Sequence, residues 1–300
     1  MSGTASEVMT EAGTLAILGR ACQARGLSAD GARLLRLGSN AVYRLAAPVV
    51  ARIAYAGTDV QATRRAVEVA RWLESADYPA VRALSLEQPV VIDAHPVTFW
   101  EALSDGDEYA TIGEVADVIA RLHARTAPAA LRLPVLEPFR DASGRIAESR
   151  WLTPEERDYM TAELARLQGE YARLEFALPQ GVIHGDANIG NVLRDELGNP
   201  VVIDLDDFAI GPREWDLIQT ALFYDRFGWH TREEYETFAR VYGFDIMRWP
   251  GYPALADIRE FIMVTWIVSK AGEDERTAAE ARKRLTALRT GASRKDWGPF

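Results

Sequence analysis

The sequence predicts an α+β protein, with a small antiparallel sheet followed by a larger, mainly helical part. Three observations carry this. Short runs at residues 33–37, 41–45 and 49–53 are separated by a Gly-Ser-Asn turn at 38–40 and a tight loop at 46–48, the pattern of a meander. A second strand pair, 89–92 and 96–100, brackets a turn at 93–95. Beyond residue 103 apolar residues recur at helical spacing, and only two short apolar runs, 192–193 and 200–205, interrupt the helices.

The elements follow in order. Residues 7–25 read as a first helix and 58–75 as a second, the latter stopped by Asp77-Tyr78-Pro79. Helices are expected over 111–125, 154–174, 214–226, 231–242, 252–270 and 275–290, with 140–150, which contains Gly144, as the most loop-like stretch. The division is placed at residue 103, giving a first part at 1–103 and a second at 104–300. There is no internal repeat and no low-complexity segment.

Composition narrows the function. Of the 300 residues, 48% are hydrophobic and 26% charged, values of an ordinary globular chain. No apolar run approaches the ~18 residues of a membrane span, and the first residues lack the basic and apolar succession of a secretory leader. A single cysteine, Cys22, allows no internal disulfide, which suits a reducing cytoplasm. Four histidines and one cysteine make no ordinary structural zinc site. With 44 acidic against 34 basic residues the net charge is −10, which argues against a nucleic-acid partner and suits a cationic ligand or plain solubility. The only lysines are Lys270, Lys283 and Lys295, so no lysine chemistry is available in the first 269 residues.

The chemistry concentrates in His184-Gly185-Asp186-Ala187-Asn188-Ile189-Gly190-Asn191, followed by Val202-Ile203-Asp204-Leu205-Asp206-Asp207. An apolar run precedes each polar cluster, which places Asp186, Asn191 and Asp204 on loops at strand ends. Together they offer one base for a hydroxyl proton and two hard-oxygen ligands for magnesium. Each alone reads as well as a turn residue.

This His-Gly-Asp-x-x-x-x-Asn segment with its downstream Ile-Asp resembles the aminoglycoside phosphotransferase and choline kinase group, over about residues 34–289 and most strongly at 181–219. The resemblance implies a two-lobed protein-kinase-like fold, with a nucleotide-binding N-lobe and a C-lobe carrying the catalytic loop and substrate helices. It implies Asp186 as catalytic base, Asn191 and Asp204 on Mg2+, and His184 and Asp216 as structural members of the catalytic loop. It further implies a phosphate-covering turn with Ser39 and Asn40. Arg52 stands where kinases carry a lysine, and Glu68 is its helix partner unless the register puts Ala66 there; Glu68 reads equally well as a residue of a solvated face. The adenine would meet the backbone near Glu101 and Ala102. Asp206 and Asp207 would assist the metal or face the acceptor, and Asp225 is a candidate to contact the acceptor or a plain surface carboxylate. His123 is expected to pack or cap.

The expected activity is therefore ATP- and Mg2+-dependent phosphorylation of a small-molecule hydroxyl, with GTP as the alternative donor. The acceptor would be aminoglycoside-like, an amino sugar or another cationic metabolite or antibiotic. The chain would act as a monomer or homodimer, with neither nucleic acid nor membrane as partner. A catalytically weak, nucleotide-binding regulatory homologue is the competing reading, motivated by Arg52 and by the open assignment of Glu68. A carboxylate-metal hydrolase is a third, but it would leave the first lobe's sheet without a purpose.

Overall fold

A computed structural model describes residues 9–38, 40–104 and 108–299. In chain order its first elements are α1 (Glu11–Ala24), β1 (Arg33–Leu37), β2 (Asn40–Arg44), β3 (Val49–Ala54), α2 (Val60–Ser75), β4 (Val90–Ile92), β5 (His95–Glu101) and α3 (Ile112–His123). There follow α4 (Ala142–Glu148), α5 (Pro154–Tyr171), β6 (Gln180–Ile183), β7 (Val192–Arg194), β8 (Pro200–Val202) and β9 (Ala209–Pro212). The last four helices are α6 (Glu214–Asp225), α7 (Arg232–Tyr242), α8 (Tyr252–Lys270) and α9 (Glu275–Thr290).

The chain forms two compact units, and neither is a single stretch of sequence. The first comprises Met1–Ala110, Ala127–Leu133 and Gly190–Phe208; the second comprises Thr111–Thr126, Pro134–Ile189 and Ala209–Phe300. This differs from a division at residue 103, because backbone hydrogen bonds tie the β7–β8 hairpin into the first unit. Val81 N donates to Val202 O at 2.8 Å and Ala110 N to Val192 O at 3.0 Å.

In the first unit five antiparallel strands lie in the order β1-β2-β3-β5-β4. Strand alternation selects the inward set: Ala41 and Tyr43 from β2, Ala51 and Ile53 from β3, Val97 and Phe99 from β5. Helix α1 covers them with Leu18, Ala21 and Cys22. The buried Tyr43 hydroxyl is satisfied there, 2.7 Å from Thr14 Oγ1 and donating to Glu11 O at 3.1 Å. Thr10 caps α1, so that helix begins later than the periodicity implied. Asp59 caps α2, which buries Ala66, Val67, Val69, Ala70 and Leu73 along one stripe.

In the second unit α6 and α8 are the most deeply buried helices; ten successive residues of α6, Glu214 to Phe223, are buried. Three helices start on reciprocal capping boxes, Thr111 with Glu114, Thr153 with Glu156 and Thr231 with Glu234. The stretch expected as a loop at 140–150 contains α4, a two-turn helix with no side-chain N-cap. A tertiary contact holds it: Arg157 donates to the carbonyls of Ile146, Ala147 and Ser149 at its C-terminal end. The C-terminal segment docks on this unit. Trp297 is buried beside Phe227, with the Arg284 guanidinium over its ring, and Arg284 donates to Gly298 O at 2.6 Å.

Strands β6 and β9 pair antiparallel, Ile183 with Ala209 through Gln180 with Pro212. Gly211 sits where a Cβ would lie 2.9 Å from both Ile183 Cδ1 and Leu136 Cβ. Gly211→Ala is therefore expected to destabilise the protein by about 1–3 kcal/mol through overpacking, seen as a lower urea midpoint.

Candidate active site

The second unit carries the Asp186 loop. Strand β6 ends at Ile183, and the chain turns through Gly185 at φ +88°, a conformation that suits glycine. The turn is held from α6. The fully buried Asp216 carboxylate accepts from His184 N at 2.6 Å through Oδ2 and from Gly185 N at 2.8 Å through Oδ1. Trp215 Nε1 donates to Gly185 O at 2.8 Å. His184 closes the loop on itself, its Nδ1 accepting from Asp186 N at 3.3 Å. His184 and Asp216, expected to support this loop, are thus bonded to one another's segments.

His123, at the end of α3, is part of the same frame. Its Nε2 lies 3.0 Å from Asp216 Oδ2 and its Nδ1 2.7 Å from the Tyr242 hydroxyl. An ionised carboxylate only accepts, so Nε2 carries the proton in this contact. Burial pushes the Tyr242 phenol above its ordinary pKa, which keeps it a donor.

Two side chains that sequence reasoning missed meet Asp186. Gln219 Nε2 of α6 is 2.7 Å from its Oδ1, and Arg259 Nη2 of α8 is 2.5 Å from the same oxygen. Arg259 also stacks its guanidinium 5.0 Å above the Trp215 ring. Asn188 Nδ2 donates to Asp186 O at 3.0 Å and lies 3.5 Å from Oδ2. The result is a partly exposed carboxylate on a loop whose backbone is fixed by buried groups. Asp225, at the end of α6, is exposed and accepts from the Tyr252 hydroxyl at 2.8 Å.

The first unit carries the other carboxylates. Asp204 follows β8 in the left-handed region at φ +58°, a strained position of the kind found at functional sites. Ile203 N donates to Asn191 O at 2.9 Å, which ties the backbone beside Asp204 to Asn191. Arg52 of β3 places Nη2 3.2 Å from Asp204 Oδ1 and 2.6 Å from Asp206 Oδ2. Burial disfavours its charge, but the carboxylates of Asp206 and Asp204 outweigh that and raise the Arg52 pKa.

Other expected residues fall differently. Glu68 is exposed on α2, and the carboxylates on Arg52 are Asp204 and Asp206 instead. The residue two positions earlier, Ala66, is buried but carries no charge to pair. Asn40 opens β2 beside Gly38, whose N donates to Asn40 O at 3.1 Å. Ser39 lies outside the described residues. The amides of Glu101 and Ala102 are engaged within the unit, donating to Arg82 O at 2.9 Å and Pro48 O at 3.0 Å. Asp207 is exposed.

Among the described residues, no group of three or more His, Cys, Asp or Glu side chains could hold a metal. Asn191 with Asp204 fits a different demand. Magnesium typically takes one or two protein oxygens and fills the rest of its shell with phosphate and water. No helix of the described residues is long and apolar enough to cross a membrane.

A family model described as the phosphotransferase enzyme family matches residues 32–258. Among solved structures, the chain resembles an amicoumacin kinase in complex with AMP-PNP, Ca2+ and Ami at 12% identity, covering 94% of this chain and 95% of that one, with a TM-score of 0.73. It resembles a choline/ethanolamine kinase family protein from Mesorhizobium loti at 17% identity, covering 94% of each chain, with a TM-score of 0.62. It resembles the aminoglycoside phosphotransferase APH(3'')-Id from Streptomyces rimosus at 23% identity, covering 83% of this chain and 99% of that one, with a TM-score of 0.59. At these identities the likeness is one of fold, a protein-kinase-like fold with an antiparallel N-terminal sheet and a helical C-terminal part. No curated protein sequence matches.

Proposed function

The chain belongs to the phosphotransferase enzyme family, and on that footing we propose that it is an ATP- and Mg2+-dependent kinase of a small-molecule hydroxyl. The observation that carries the reading is the mounting of Asp186: a partly exposed carboxylate on a turn pinned by the buried Asp216. A base needs that combination, reachable by the acceptor and fixed in direction.

Asp186 takes or orients the proton of the attacking hydroxyl. Asn191 and Asp204 would hold the divalent ion through an amide oxygen and a carboxylate. When bound, that ion neutralises charge on the phosphate oxygens. Arg52 offers a guanidinium to phosphate oxygens once these compete with Asp204 and Asp206 for it. Ser39 and Asn40 would donate to phosphate. Residues 101–102 would meet the base of ATP or GTP through backbone groups other than their two engaged amides. Glu68 has no part in this scheme. The acceptor would be aminoglycoside-like, an amino sugar or another cationic metabolite, a choice supported by the net charge of −10 and by the exposed Asp207 and Asp225.

The test is ADP release from Mg·ATP across a panel of aminoglycosides, peptide antibiotics, choline, homoserine, amino sugars and neutral sugars, with Asp186→Asn as the blank. One acceptor giving ADP that the blank does not give is the expected result. The ion pair between Arg52 and Asp204 favours a second reading, a catalytically weak nucleotide-binding regulatory homologue. Nucleotide binding without ADP from any acceptor would select that reading over the first.

A further inference from the structure

We propose that Arg259 is a positioning residue for Asp186: together with Gln219 it pins one carboxylate oxygen, Oδ1, and so fixes the direction in which the carboxylate faces. The inference rests on Asp186 being the base.

Arg259 is out of place in its own helix. α8 buries Leu255, Ala256, Ile258, Phe261 and Val264 around it, together with Glu260, whose partners are Arg226 and Arg294, and Arg259 itself is only 8% exposed. A buried cation on an apolar helix is costly unless it is paired, and an apolar residue of similar size commonly serves stability as well or better. Here the two partners are unequal. The Asp186 side chain is 36% exposed against 10% for Arg259. Water could solvate the aspartate alone, so it needs no cation for burial. The arginine has been brought into the interior to reach the aspartate.

Its geometry is that of a fixed donor. Stacking over Trp215 orients the guanidinium plane, and Trp215 is itself bonded to Gly185 O of the same loop. Arg259 Nε is buried with no hydrogen-bond partner among the described residues, a cost retained while Nη2 is delivered 2.5 Å from Oδ1. Gln219, 4% exposed, supplies a second donor to Oδ1 from α6. Two buried donors from two helices on one oxygen fix the rotation of the carboxylate, which a single contact would not.

The groups around the carboxylate can be named. α8 presents Arg259, and α6 presents Gln219, with Asp216 behind the loop. α3 reaches Asp216 through His123, and the loop contributes His184 and Asn188. Arg259 is a permanent cation bonded to Asp186, and a cation at hydrogen-bond distance favours the ionised carboxylate.

The experiment is a carbon-13 NMR titration of the full chain carrying side-chain-labelled aspartate. Asp186→Asn identifies the Asp186 resonance by its loss. In Arg259→Gln, which keeps a neutral donor, the resonance is expected to titrate about 1 pH unit or more higher than in the parent. Arg259→Lys restores the charge, and its midpoint is expected to return most of the way. Arg259→Gln with the parental midpoint and an unchanged far-ultraviolet dichroism spectrum would overturn the proposal. Should Arg259→Gln not fold, Gln219→Leu is the second variant: broadening or splitting of the Asp186 resonance is expected as the carboxylate gains rotational freedom, and an unchanged line would overturn the pinning. The titration needs no acceptor. A silent acceptor panel with a shifted resonance would therefore sink the kinase reading while supporting the hold of Arg259 on Asp186.

Discussion

Asp186→Asn is expected to lower kcat about 1,000-fold while leaving the Kd for Mg·ATP within about twofold. Positioned general bases contribute about 10²–10⁴ in rate, so a 1,000-fold loss corresponds to about 4 kcal/mol of barrier. The amide is the informative substitution because it is isosteric. It retains an oxygen for Gln219 Nε2 and Arg259 Nη2, and the loop amides remain on Asp216. Alanine would leave the buried Arg259 without its carboxylate and would mix a folding defect with a chemical one. Steady-state ADP release on an acceptor identified in the panel gives kcat, and calorimetric titration with a non-hydrolysable ATP analogue gives affinity. A variant within tenfold of the parent would remove Asp186 from the proton-transfer role.

Asp216→Ala is the second large effect, and it falls on stability first. The substitution deletes one buried carboxylate that accepts from His184 N, Gly185 N and His123 Nε2. Three donors lose their acceptor in a buried place that water does not reach. Breaking such a buried charged network costs about 3–5 kcal/mol, which corresponds to a fall in Tm of roughly 10 °C for a chain of this size. Scanning calorimetry reads it. Turnover is expected to be lost with it, since the same bonds carry the backbone on which Asp186 stands. Replacing Tyr242 by Phe touches only the outer end of this chain of bonds and should cost far less. An unchanged Tm for Asp216→Ala would mean that the loop holds its own shape.

What was legible in the sequence was local. The strand alternation of β2, β3 and β5 depends on neighbours two apart, and the capping boxes on residues three apart. The segment from His184 to Asn191 is one loop, and its relation to Asp216 is a recurrent pattern. What was hidden is long-range. Gln219 and Arg259 lie 33 and 73 residues from Asp186, and His123 lies 93 residues from Asp216. No spacing rule connects them. One signal for Arg259 was present: it lies three and four residues after Ala256 and Leu255, on the apolar face of the helix. The partner of Arg52 stayed open in the sequence because helix register decides it. In α2, residues 66, 67, 69 and 70 point inward, which turns Glu68 out, and the vacancy is filled from 152 and 154 residues downstream. The helix α4 escaped notice because its last carbonyls are held by Arg157 of another helix rather than by a cap of its own.

The arginine on β3 also decides how this protein can be detected. Surveys of nucleotide-binding proteins in cell extracts commonly use ATP or ADP bearing an acyl phosphate, which transfers its acyl group to a lysine amine beside the bound phosphates. A guanidinium is protonated and unreactive toward such reagents at neutral pH. The three lysines of this chain, Lys270, Lys283 and Lys295, all belong to the second unit, whereas Arg52 belongs to the first. Arg52 itself would leave no mark in such a survey however tightly it held the nucleotide. An arginine-selective dicarbonyl is the matching reagent, and protection of Arg52 by Mg·ATP would be the signature to look for.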